Sequence, residues 1–177
     1  MSKVPPVYQW LERIDPLPLM IRHALDALGT IEASGPADNP TIIGWARETG
    51  LSASYGGDAI PWCGLFMAMV AQRAGKRIPD KPLWALSWSR FGAAAETAVL
   101  GDVLVFKRDG GGHVGLYVAE DDRAFHVLGG NQSDRVCFTR IARGRLHAIR
   151  RPLYRVMPAS AKACRLTAAG RLSRNEA

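Results

Sequence analysis

The chain has 177 residues, 47% of them apolar, and a formal net charge of +7 at pH 7. This suits one compact core with loose ends, and it excludes both two large domains and a wholly disordered chain. The charge is uneven: residues 1–100 hold 9 Lys/Arg against 9 Asp/Glu, and residues 101–177 hold 14 against 7. The basic excess lies in the second half. It serves solubility alone or suits a polyanion, without choosing among nucleic acid, an anionic membrane face and an acidic cell-wall polymer.

Residues 1–17 form a Pro-rich lead-in that lacks the apolar core of a secretory signal, and no later window reaches transmembrane length. The protein is expected to be made in the cytoplasm without a signal peptide. The apolar spacing of "LPLMIRHALDALGT" predicts a helix over 18–28, ended by Gly29. A second helix follows in "PTIIGWARETG", with Asn39 as N-cap, Pro40 at the first helical position and Gly50 as the stop. From Trp62 to Ala74 the chain is apolar almost all round, which predicts a buried central helix closed by Gly75. In "KPLWALSWSRFGAA" the aromatic residues Trp84, Trp88 and Phe91 fall on one helical side.

From Gly101 the pattern changes to short β-rich runs, "DVLVFK", "HVGLYVA", "RAFHVLG", "RVCFTRI" and "LHAIRRP", separated by turns. Helices first and an antiparallel sheet afterwards make an α+β fold. The expected domain spans 18–154, and 155–177 is read as a basic tail with at most one marginal helix.

Cys63, Cys137 and Cys164 form no CxxC pair, so neither a zinc site nor a disulfide framework is indicated. Cys63, in "DAIPWCGLFMAMVAQRAG", stands where the apolar helix starts. Unpaired backbone N–H groups there favour a thiolate and can hold an oxyanion, although the same position suits a small packed thiol. In "GDVLVFKRDGGGHVGLYVA", His113 opens a strand after a glycine run that leaves room for a substrate backbone, which makes it the candidate base. Asn131 in "HVLGGNQSD" is the candidate third member. It shares a face with His113 if the hairpin around Glu120 to Arg123 has an odd loop, and lies on the opposite face if the loop is even. His23, His126 and His147 are assigned structural roles, as is Asp102, whose carboxylate is expected to serve a turn.

Together, "PWCGLF", "GDVLVF", "GGHVGLY" and "VLGGNQSD", in that order, resemble the NlpC/P60 and CHAP superfamily of papain-like cysteine peptidases and amidases, and look most like its phage-associated branch. With "GTIEASGPADNPTIIGWA" upstream, the similarity covers roughly residues 18 to 153. The resemblance implies a papain-like fold and hydrolysis of an amide bond in peptidoglycan. Carried over by position, Cys63 is the nucleophile, His113 the general base and later acid, and Asn131 the orienting group, with no metal or cofactor required. Tyr55 resembles a tyrosine that supports the oxyanion, and Trp62, Trp84 and Trp88 are candidates for lining the groove, or else core residues.

The Asp-Cys-Ser typical of NlpC/P60 is replaced here by Trp62 and Gly64 around the thiol, so bond specificity does not carry over. The bond is a γ-D-glutamyl to diamino-acid link, a stem-to-crossbridge link, or the muramoyl–L-alanine amide. Partners implied by such a reading are a holin for a phage lysin, or delivery machinery and an immunity protein for an injected antibacterial effector acting in the periplasm or wall. The non-enzyme alternative is a basic nucleic-acid-binding module, which lacks the interleaved aromatics, helix-turn-helix or zinc spacing such modules use. A redox role for Cys63 lacks a nearby resolving cysteine.

Overall fold

The computed structural model describes residues 2–167, 172–173 and 176. Three α-helices come first: α1 (Leu19–Asp26), α2 (Pro40–Glu48) and α3 (Cys63–Arg73). The Asn39 side chain caps α2 by accepting from the Thr41 N–H at 2.8 Å. Nine of the eleven residues of α3 are buried, as its all-round apolar character demands. No helix among the described residues is long and apolar enough to cross a membrane.

Seven strands follow: β1 (Ala93–Ala94), β2 (Val103–Arg108), β3 (Gly111–Glu120), β4 (Ala124–Gly129), β5 (Cys137–Ala142), β6 (Leu146–Arg151) and β7 (Leu172–Ser173). They make one sheet in the order β1-β6-β2-β3-β4-β5-β7, antiparallel throughout except for the parallel β5–β7 pair. The fold is therefore α+β, built on a seven-stranded, mostly antiparallel sheet.

Alternation along the strands divides the apolar residues between two faces. Val103, Val105, Val114, Leu116 and Leu128 pack with the helices in the main core. Leu104, Phe106, Tyr117, Phe125, Val127 and Ile141 form a second cluster on the other face.

The two ends of the chain depart from expectation. The lead-in is part of the packed body: Pro6–Arg13 is a 3-10 helix whose Tyr8 and Leu11 are buried. Tyr8 stacks on Phe138 and its hydroxyl meets His126 Nδ1 at 2.7 Å, while His126 Nε2 reaches Asp121 at 2.8 Å. At the other end, the segment expected to be a loose tail is tied to the sheet. Cys164 exchanges hydrogen bonds with the Tyr117 hydroxyl, its carbonyl accepts from the Glu120 N–H, the Leu166 N–H donates to the Glu120 carbonyl, and β7 extends the sheet. The described residues of this segment contain no helix.

Aromatic spacing also misled around residues 84–91. The stretch Ala85–Arg90 is a 3-10 helix, which turns Trp88 and Phe91 into the core and leaves Trp84 72% exposed. Asp102 has the structural role expected of it: it is buried, accepts from the Val99 N–H at 3.0 Å and pairs with Arg151.

Gly64 lies one residue into α3, where alanine would ordinarily favour the helix by about 1 kcal/mol. Here, however, a Cβ would stand 2.4 Å from the Pro82 carbonyl oxygen and 2.6 Å from that of Leu83. We expect Gly64→Ala to lower stability by about 1–3 kcal/mol, the cost of forcing an added group into a packed site, which a shift of the urea midpoint at constant m-value would register.

Candidate active site around Cys63, His113 and Gln132

The position of His113 follows from the register of β3. Its partner on β2 is Phe106, so the imidazole lies on the face away from the helices. The β3–β4 hairpin has an even loop of four residues between the paired Glu120 and Phe125, which by itself would put His113 and Asn131 on opposite faces. A bulge between Tyr117 and Ala119 then shifts the register by one, giving Tyr117↔Val127 and Leu116↔Leu128. Continued toward the start of β3, this register aligns His113 with Asn131.

Asn131, however, is not the residue bonded to His113. After Gly129 the chain leaves the ladder, and Asn131 takes a left-handed turn conformation with φ of 54°. The turn brings back the next side chain, and Gln132 Oε1 lies 3.1 Å from His113 Nε2. Gln132 Nε2 donates to the carbonyls of Cys137, Gly129 and Val127. With its NH₂ group so committed, Gln132 presents an acceptor to the imidazole. His113 must then carry its proton on Nε2, leaving the Nδ1 lone pair as a base.

Two glycines make this possible. A Cβ at Gly129 would stand 3.0 Å from Gln132 Oε1 and 3.4 Å from His113 Nε2, and one at Gly130 would strike Phe66 and Trp62. The 110–112 glycine run has another use: Gly110 turns the β2–β3 hairpin with φ of 76°, and the space beside Gly112 is filled by the Leu86 side chain.

Cys63 is the first residue of α3 and is 5% exposed. Tyr117 directs its N–H and C=O toward β2, where Asp102 and Gly101 take them. By alternation, the Val114 N–H points the other way, toward the side that β4 has vacated beyond Gly129. There it favours negative charge on the Cys63 sulfur, as do the N–H of Gly64 and that of Cys63 itself. The thiol thus feels the backbone of the residue next to His113 at the rim of the sheet.

Burial nevertheless pushes the Cys63 thiol up, against the opposing pull of these N–H groups and of the Arg108 charge. Burial likewise lowers His113 to about 4, although the nearby Glu176 carboxylate and the Gln132 bond oppose it. Both groups therefore rest neutral at pH 7, which corrects the expectation of a thiolate stabilised by the helix start.

The other expected site residues divide. Trp62 is fully buried, packs against Trp45 and donates its indole N–H to Glu32, so it is a core residue and not a groove wall. Trp88 is equally buried, with its N–H on the Pro82 carbonyl. The Tyr55 hydroxyl donates to the Ile60 carbonyl at 3.3 Å, tying down the loop before Cys63. Trp84 alone of the four is exposed, and the adjoining Pro82 and Leu83 carbonyls lie against the first turn of α3.

Sequence reasoning missed Gln132, along with Arg145 and Glu176, whose carboxylate makes a bidentate pair with Arg145 close to His113. The usable signal for Gln132 was the "GGNQ" turn, since asparagine is enriched in left-handed conformations that swing the following residue back. Among the described residues, no group of three or more His, Cys, Asp or Glu is arranged to hold a metal ion. Compared with protein-family models, with curated proteins and with solved structures, the chain matches none.

The buried imidazole makes stability acid-sensitive with a defined sign. In the unfolded chain His113 gains its proton below its ordinary 6.5, but in the folded chain only below about 4. Its contribution is complete above about pH 6.5 and is lost as pH falls through this window. We expect the His113 resonance to titrate near 4 by NMR, and His113→Gln to lose less stability than the native chain between pH 7 and 4.5. His126, also lowered by burial, retains part of the acid sensitivity.

Proposed function

We propose that the protein is a cysteine peptidase or amidase that hydrolyses an amide bond of peptidoglycan, with a papain-like arrangement of Cys63, His113 and Gln132. The observation that carries the chemistry is the Gln132–His113 bond. An amide oxygen held toward Nε2 fixes one tautomer and leaves Nδ1 to take a proton, the role of the third member in nucleophile–base–orienter sites. The substrate class is supported by the resemblance of "PWCGLF", "GDVLVF", "GGHVGLY" and "VLGGNQSD" to NlpC/P60 and CHAP enzymes.

The steps follow from a resting pair that is neutral. His113 Nδ1 takes the thiol proton as the Cys63 sulfur attacks the amide carbon, and the carbonyl π electrons move onto oxygen. Backbone N–H groups at the start of α3 would hold that oxyanion. Collapse breaks the C–N bond, and the leaving nitrogen takes the proton from the imidazolium, leaving a thioester. A water then gives a proton to His113 and attacks the thioester. The C–S bond breaks, the sulfur regains its proton, and the acid is released. Transfer within a buried pair avoids maintaining two charges away from water at rest. The exposed Trp84 offers an aromatic surface to a stem peptide or sugar beside the first turn of α3.

Digestion of purified peptidoglycan followed by mass analysis of the fragments tests this reading and identifies the bond, the muramoyl–L-alanine amide included. Cys63→Ala and His113→Ala are each expected to lower the rate by more than about 10³-fold. Gln132→Ala should cost about 10- to 100-fold, as expected for loss of a group that orients a histidine, whereas Asn131→Ala should retain most activity. Intact wall with the native protein would overturn the proposal.

A further inference from the structure

The proposed catalytic pair is closed off, since Cys63 and His113 are only 5% and 2% exposed. Beside His113 lies Glu176, itself 1% exposed, and its charge and that of His113 act on one another. Its two carboxylate oxygens accept from Arg145 Nη1 at 2.7 Å and Nη2 at 2.6 Å, and its backbone carbonyl accepts from the Ser133 N–H at 3.1 Å. Strand β7, paired with Arg140–Ile141 of β5, brings the chain to this place.

Arg145 is also held independently of Glu176, because its Nε donates to the Lys107 carbonyl at 3.2 Å. His113 is 2% exposed, so an amide substrate can reach it only after neighbouring groups move, and the relevant displacement is that of Glu176, whose charge acts on it. When Glu176 moves, the Arg145 guanidinium stays beside the base with both terminal nitrogens unmatched, and the Arg108 charge adds to the positive potential felt by Cys63 and His113. A forked cation in a largely buried place is matched by a planar carboxylate.

We propose that Arg145 is a carboxylate-binding subsite which selects peptides carrying a free carboxylate near the amide to be cut, and that Glu176 occupies it in cis until such a substrate displaces it. This rests on the hydrolase reading. Glu176 then acts as an internal competitor, and the wall peptides favoured are those whose carboxylates are free and not amidated.

The test uses one soluble peptidoglycan stem peptide in two forms, with its carboxylates free or converted to carboxamides. The native protein is expected to show a KM at least about tenfold lower for the free form, the scale of a hydrogen bond to a charged group. Arg145→Lys, which keeps the charge and loses the fork, should abolish the roughly tenfold preference, bringing the KM values of the two forms together with kcat near native. Glu176→Gln should lower KM for the free form. Equal KM values for the two forms, or Arg145→Lys leaving the discrimination intact, would overturn the subsite.

Calorimetry separates this outcome from failure of the hydrolase reading. A full-length Cys63→Ala, Glu176→Gln double variant should bind the free form in preference to the carboxamide, and lose the preference when Arg145→Lys is added. That result without any hydrolysis sinks the enzyme and leaves the subsite standing. Equal binding, or none, sinks the subsite.

Discussion

The extra residue in β3, between Tyr117 and Ala119, governs which side of the sheet the two buried histidines face. Side chains alternate with a period of two, so a shift of one register position exchanges the faces of everything beyond it. His126, on the hairpin side of the shift, meets Tyr8 and joins the N-terminal 3-10 helix to the sheet. His113, on the far side, faces away from the helices and meets Gln132. Without the bulge His113 and His126 would lie on the same face of the sheet.

That placement has an electrostatic consequence. The rim where β4 ends frees the Val114 N–H for the Cys63 sulfur, while the imidazole of the preceding residue is directed to the turn. Thiol and imidazole are both withdrawn from water, and desolvation disfavours the charged form of each. It outweighs the helix start, which would otherwise favour a thiolate. In the proposed mechanism charge appears only as the proton moves, where backbone N–H groups and the Arg108 charge are already in place to oppose its cost.

The segment after residue 154 completes the same site from the other face. Tyr117 holds it at Cys164, β5 holds it at Leu172–Ser173, and Arg145 holds it at Glu176. Charge distribution along the sequence marked this region as basic. Within the fold, its single acidic residue, Glu176, pairs with Arg145, and its charge acts on the candidate base.

Local signals determined much of the architecture: the Asn39–Pro40 helix start, the all-round apolar α3 that begins at Cys63, and the strand runs after Gly101, one of which carries His113. These are legible because capping, periodicity and turn chemistry act over a few neighbouring positions. The tertiary structure decided the rest. Whether Asn131 or Gln132 meets His113 depends on where the chain leaves the ladder after Gly129 and on one left-handed residue, and whether Trp62 and Trp88 line a groove or fill the core depends on what packs over them. The protonation of Cys63 and the partner of Arg145 likewise depend on burial and on chain returning from far along the sequence, which no local pattern records.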